Sequence, residues 1–416
     1  MLTQSKSKFE TFIEHNAASL FVFVLWPFLG FIIAIRNYDQ KLSKYVVLMF
    51  FAFYGLLIVN DTVGADLYTN YIRFKQYSLE PNSYFWVLIN GLFKEDGTLD
   101  LLQKLIMFFV SRITSNVNIL YLVYSCIFGY VYLKGIDLLH DFYKNHKNIN
   151  SWLMLVMFVL IIPITSIGNF RFFSAVWIFF VGAYNVIYFK NNKFLIIAFL
   201  SAFMHFGLIA ANLLLVIYLL LGNRNKLYLI LIAFSFLIPN IAGDFIVSIA
   251  NNFGGGFEDK ANEYLSPDSF EILANKRLSW FLTLRPKLIL YYIYLMYIVS
   301  YFYWPKQKNE GLNNIFSFSL LFFSFSNFVI AVPSLGGRYL GIFELFAFSY
   351  LCFAMFYRYQ NYNKLSVYSY LALIPLLLHF FVTFRTSSET INIWLFTPNP
   401  LPFIFDPVAV WTIIEG

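Results

Sequence analysis

Charge is what this chain has least of. Asp, Glu, Lys and Arg make up only 12% of its 416 residues, where a soluble domain carries about a quarter. That excludes a soluble globular domain of any size, and the longest polar stretches suffice only for small caps. Cysteine is nearly absent as well. Cys126 and Cys352 are the two in the chain, both inside apolar runs, so they say nothing of redox compartment and packing is their expected role. No Cys/His spacing or tight carboxylate cluster suits a metal, and no metal or other cofactor is expected. No G-x-S-x-G serine motif occurs. The glycines at 254–256 lack the lysine and the strand that a phosphate-binding loop requires. Basic residues never cluster at nucleic-acid spacing, so no nucleic-acid partner is expected. The net charge of +7 matches the Lys and Arg excess that membrane proteins keep in cytoplasmic loops. The first apolar run, 17–35, is followed by no small-residue cleavage pattern and reads as a membrane helix instead of a leader.

What is present in quantity is apolar sequence, 60% of all residues, with a mean hydropathy of +0.67. The chain reads as an all-α polytopic membrane protein, one membrane domain over 1–416. The 52 Phe and 30 Tyr run through every span and are mostly packing and lipid-facing residues. A membrane helix needs about 20 apolar residues. Such spans lie near 17–36, 45–60, 118–134, 151–168, 172–189, 227–246, 287–304, 313–332, 339–357 and 366–384. The run 194–221 would make a helix of roughly 42 Å, one long tilted span or two short ones.

Loop charge decides between these. The short loops 36–44, 134–150, 190–193, 222–226, 305–311 and 358–365 are the basic ones, carrying among others Lys44, Lys134, Lys190, Arg224, Lys306 and Arg358. All can be cytoplasmic only if 194–221 goes in and comes back. The prediction is therefore a pair of short helices with His205 at their outer tip and about twelve spans in total. The longer loops, 61–117 and 247–286, then face outward and hold most of the acidic residues. Segment 99–115 has helical periodicity interrupted by Lys104 and Arg112, as in an amphipathic helix lying on the outer surface.

Four segments place unusual ionisable groups at that outer boundary. Residues 60–74 (NDTVGADLYTNYIRF) offer Asp61, Asp66, Tyr68, Tyr71 and Arg73. SIGNFRFFSAVW offers Asn169 and Arg171. LSAFMHFGLIA offers His205. GGRYLGIFELF offers Arg338 and the intramembrane Glu344, and Arg285 before Pro286 can join them. A cation at the bilayer centre costs about 2.5–3.5 kcal/mol on insertion scales, so it is usually kept for a partner or a substrate. Each group also has a structural reading: Asp61 and Asp66 as loop carboxylates, Arg171 and Arg338 as snorkelling helix-end residues, His205 as the cap of a turn. Glu344 can pair with Arg338 or across helices, since six residues separate the two and i, i+3/i+4 contact is excluded. Convergence on one side favours a site for an anion. Two guanidinium groups suit a diphosphate, and a carboxylate or histidine beside them can take a proton from a hydroxyl.

The chain resembles the EpsG-like branch of the Wzy-type polysaccharide polymerases. The resemblance lies in the order of an outward VGADLYTNY loop, an amphipathic LDLLQKLI stretch before NILYLVYSCIFGYVYLKGI, an arginine-led helix GNFRFFSAVWIFFVGAYNVIYF, a short pair containing AFMHFGLIA, and a late GGRYL. Phe172 stands where a glutamine is frequent, and Phe206–Gly207 where a serine commonly follows the histidine. The resemblance implies glycosyl transfer on the outer face of a bacterial inner (cytoplasmic) membrane. A growing glycan on undecaprenyl diphosphate would be the donor and an undecaprenyl-diphosphate-linked oligosaccharide repeat the acceptor. It needs no nucleotide sugar or metal, and a flippase and a chain-length regulator would be partners. It carries Arg171 and Arg338 over as diphosphate holders. His205 and Asp66 become acceptor-positioning or basic groups, joined by Asp61, Tyr68 and Glu344. Three other classes compete. A lipid-linked oligosaccharide flippase fits the span count, but no matching halves appear. A glycan O-acyltransferase would want a catalytic histidine, with His205 and His379 the intramembrane candidates. An O-antigen ligase would differ only in acceptor.

Overall fold

The computed structural model describes residues 19–59, 66–91, 100–145, 149–237, 279–303, 309–330, 335–359, 366–398, 408–410 and 412. They are α-helical, joined by short 3-10 turns, and the one β feature among them is the isolated bridge between Asn392 and Ala409. The helices are α1 (Pro27–Arg36), α2 (Lys41–Leu56), α3 (Asp66–Leu79), α4 (Tyr84–Asn90), α5 (Leu101–Ile113), α6 (Val117–Asn145), α7 (Ile149–Ile161) and α8 (Phe170–Phe189). After these come α9 (Leu195–Met204), α10 (Leu208–Leu221), α11 (Asn225–Leu237), α12 (Trp280–Tyr303), α13 (Glu310–Phe328), α14 (Leu335–Tyr359), α15 (Ser366–Tyr370) and α16 (Leu373–Ser387).

Helix ends follow local chemistry. Pro27 opens α1, where its missing N–H costs nothing. Asn309 caps α13 by accepting from the Leu312 N–H at 3.2 Å. Pro163 cannot donate to the ladder and disfavours helix at Ile162, so α7 stops there. A 3-10 turn over Ile164–Asn169 then resets the chain before α8. Lys190 with φ 56° ends α8, and Gly222 with φ 66° ends α10.

Contacts between distant segments sort into two ends of the bundle. Lys44 pairs with Asp137 at 2.7 Å, Lys190 with Glu310 at 2.5 Å, and Asn223 bonds Asn314 at 2.7 Å. These contacts involve the described parts of the basic loops 36–44, 134–150, 190–193, 222–226 and 305–311, which lie at one end. At the other end the Val59 N–H donates to Thr390 at 3.1 Å and the Tyr121 hydroxyl to the Leu67 carbonyl at 2.6 Å. Helix α8 runs between the ends through the core, packed on α6, α9, α10 and α13. Its Trp177 is fully buried, edge-on to Tyr132 and Phe158 at 4.9 and 5.5 Å. At Gly182 a Cβ would stand 2.7 Å from the Ala198 Cα, so this glycine is what lets α9 lie against α8.

The expected count of about twelve spans is not confirmed by the described residues. Among the described residues, five segments are long and apolar enough to cross a membrane: Val117–Asp141, Ile149–Phe189, Trp280–Ser300, Leu335–Met355 and Tyr368–Ser387. Several apolar runs are interrupted before they attain full length. Helix α1 has 10 residues and α2 has 16. The run 194–221 breaks at His205 into helices of 10 and 14 residues, about 15 and 21 Å long. Of the expected outer loops, 61–65, 92–99 and 247–278 lie outside the described residues, as do Asp61 and the glycines at 254–256. The amphipathic stretch forms α5, which buries Met107 and Phe108. Its Arg112 donates to the Glu80 carbonyl at 2.5 Å and to the Tyr77 carbonyl, satisfying the C-terminal end of α3.

Candidate functional site

A cavity of about 430 Å³ opens where the first turns of α8, α12 and α14 meet the end of α7 and the middle of α16. Phe172, Phe173, Ile161, Ile162, Ile289 and Leu340 make its apolar walls. Arg285, Arg338, Glu344 and His379 also line it. Each is placed by its helix. Arg338 is the fourth residue of α14 and Arg285 the sixth of α12, so both guanidinium groups sit near helix N-termini, where the backbone dipole favours an anion. Pro286 follows Arg285 inside α12 and cannot continue the ladder to Leu282. Arg338, Gly341 and Glu344 are spaced by three and share one face of α14. Arg338 and Glu344 lie about 9 Å apart along the axis. Gly337 and Gly341 border the cavity, and a Cβ on either would meet nothing within 4 Å.

Glu344 is 7% exposed. The charge that acts on it is Arg285, from α12, and no ion pair among the described residues joins it to Arg338. The influence on Glu344 therefore comes across helices, through charge and not through a direct ion pair among the described residues. Arg338 lies over the Phe172 ring at 5.2 Å. The Nε of Arg285 is buried with no hydrogen-bond partner among the described residues. His379 is 4% exposed, and its Nε2 lies 2.6 Å from the Leu160 carbonyl. A carbonyl can only accept, so Nε2 carries the proton and Nδ1 is left with a lone pair. Nδ1 is likewise buried without a partner among the described residues.

Beside the cavity, Arg171 pairs with Asp100 through one nitrogen at 2.9 Å. The second Asp100 oxygen accepts the Phe206 N–H at 2.9 Å. Asp100 sits immediately before α5 with φ 64°, a left-handed conformation that aspartate tolerates better than most residues. His205 caps the turn between α9 and α10, its Nδ1 accepting the Gly207 N–H at 3.0 Å. Its ring meets Phe172 edge-on at 5.3 Å. The Tyr339 hydroxyl donates to the Gly207 carbonyl, which ties this tip to α14. Lys104, one turn into α5, loses water by burial and is pushed below the usual lysine range. Asp100 opposes that shift, while Arg73 and Arg171 add to it.

The sequence-predicted residues thus divide. Arg285, Arg338 and Glu344 come together in one cavity. Arg171 and His205 form the adjoining wall through Asp100 and Phe172. Asn169 closes the 3-10 turn before α8. Asp66 begins α3 exposed, and Tyr68 packs on Tyr71 with ring centres 6.2 Å apart. Neither residue lines the cavity. The sequence offers His379 only as a candidate for the acyltransferase reading, although a lone histidine in PLLLHFFV carries the same signal as Arg171. It also left Asp100 among ordinary loop carboxylates, and no local pattern distinguishes it.

No curated protein and no solved structure matches this chain. The family model described as "EpsG family" does match, over residues 44–397. That range takes in both walls of the cavity and every helix from α3 to α16, and the chain belongs to the EpsG family.

Proposed function

We propose that this protein is a membrane glycosyltransferase that polymerises undecaprenyl-diphosphate-linked oligosaccharide repeats on the outer face of a bacterial cytoplasmic membrane. The observation that carries this reading is the grouping of Arg285, Arg338, Glu344 and His379 around one largely apolar cavity. Its 430 Å³ falls in the range of small-molecule sites, about 300–1,000 Å³, room for a diphosphate and the sugar it bears.

In the proposed reaction a hydroxyl of the acceptor sugar attacks the donor's anomeric carbon. The new C–O bond forms as the bond to the lipid diphosphate breaks, and the diphosphate leaves with the electron pair. Arg285 and Arg338 hold the charge that develops on it, aided by the N-terminal ends of α8, α12 and α14. The hydroxyl proton passes to His379 Nδ1, the one nitrogen its tautomer leaves open. Glu344 beside Arg285 orients a sugar hydroxyl. A low-dielectric pocket strengthens each of these interactions.

The test is mass spectrometry of lipid-linked glycans in a deletion strain, with the two leaflets separated. Single repeats accumulating on the outer leaflet without polymer are the expected result. Repeats trapped on the inner leaflet would identify a flippase, and polymer lacking only acyl groups an acyltransferase.

A further inference from the structure

Arg171 is the residue that a reading of the sequence picks first as a diphosphate ligand, yet its surroundings point elsewhere. Among the described residues its guanidinium makes a single polar contact, at 2.9 Å to Asp100, whose side chain is 6% exposed. The cavity wall takes up the next two residues, Phe172 and Phe173, but not Arg171. Successive helix residues point about 100° apart, so the turn that aims Phe172 at the cavity aims Arg171 away from it. Asp100 spends both carboxylate oxygens, one on Arg171 and one on the Phe206 N–H. It does so from a left-handed backbone, φ 64°, a conformation that costs about 1 kcal/mol or more outside glycine.

We propose that Asp100 and Arg171 form a latch that clips the surface helix α5 to the start of α8 and to the tip of the α9/α10 pair, and that Arg171 is a positioning residue. What the latch positions can be followed atom by atom. It fixes the first turn of α8 and hence Phe172. The Phe172 ring carries the Arg338 guanidinium on one contact, at 5.2 Å, and His205 on another, at 5.3 Å. The latched tip is tied to α14 a second time by the Tyr339 hydroxyl on the Gly207 carbonyl. Arg338 is thus presented to the cavity by a frame whose outer corner is Asp100. Lys104 on α5 lies in the field of Asp100, of Arg171 and of Arg73 from α3.

A latch and a substrate ligand respond oppositely to removal of both partners. Losing Arg171 alone strands a buried carboxylate, which is more damaging than replacing the whole pair by neutral groups. In Asp100→Asn/Arg171→Gln the asparagine can still accept from the Phe206 N–H and tolerates the left-handed backbone. The experiment compares polymer made by a deletion strain carrying wild type, R171Q, D100N, the double variant and R171K, each at matched membrane level. The latch predicts a fall of about tenfold or more for R171Q and recovery to within about threefold of wild type in the double variant. R171K is expected to stay within about threefold too, because a single-nitrogen contact needs no guanidinium fork. Thermal unfolding of the same proteins in detergent should show Asp100 and Arg171 strongly non-additive. If R171K and the double variant make no polymer while melting like wild type, Arg171 contacts substrate and the latch is overturned. The inference uses the polymerase reading only for this readout. Should the wild-type gene itself restore no polymer, that reading fails alone, and the melting cycle decides the latch: additive effects overturn it, coupling upholds it.

Discussion

Replacing Gly341 sets stability against activity. This glycine lies in the interior of α14, three residues from Arg338 and three from Glu344, on the face that borders the cavity. A Cβ there meets nothing within 4 Å. Glycine inside a helix costs about 0.5–1 kcal/mol relative to alanine, so Gly341→Ala should stabilise the fold by that amount. For a chain of this size that is a rise of about 1–2 °C in melting temperature. Gly341→Leu keeps the helix gain and extends a side chain between the two charged groups. If the cavity is the reaction site, a substrate displaced by about 1 Å loses roughly a hundredfold in rate. Polymer output should therefore be mildly reduced in the alanine variant and nearly lost in the leucine variant, with both proteins at least as stable as wild type. Polymer would be measured by gel after complementation of a deletion strain, and melting on the purified proteins. A leucine variant that melts higher and makes full polymer would show the cavity to be a packing void and would refute the argument.

Other outcomes follow from the same geometry. Gly182→Val should destabilise the protein by about 1–3 kcal/mol, because even the first added carbon falls 2.7 Å from the Ala198 Cα; lower melting temperature and membrane level would show it, and an unchanged melt would mean α9 can move aside. His379→Ala should cut turnover by about 10²–10⁴-fold, the usual worth of a general base, and added imidazole should restore part of it. Failure of imidazole with normal folding would limit His379 to its bond with Leu160. Lys190→Ala should change neither melting nor polymer beyond about 0.5 kcal/mol, since the Lys190–Glu310 pair is 59% and 68% exposed; a large effect would contradict its solvated setting.

Much of the architecture is legible in the linear chain. The break at His205 follows from a run too long for one span and too basic on both flanks for a single crossing, and it divides α9 from α10. The amphipathic period read over 99–115 appears as α5, Leu101–Ile113, with Met107 and Phe108 turned inward. The span count is not confirmed: five of the described segments are long and apolar enough to cross, and the chain breaks at Pro163 and His205 inside apolar sequence. In the site, Arg285, Arg338 and Glu344 were recognisable singly, as charges in apolar sequence. That Arg285 serves Glu344 depends on how α12 packs against α14. That Arg171 is held by a residue 71 positions away is invisible to any local pattern.

The difference is physical. Whether a segment leaves water is a sum over its own residues, since transfer energy is close to additive along a chain, and the sequence by itself determined an all-helical membrane protein with its basic loops at one end. Which buried charges meet is a matter of pairs, falling steeply with distance and with exposure. Only the packing of α8, α12, α14 and α16 decided that two arginines, a glutamate and a histidine share one cavity, and that Asp100 holds the wall beside it.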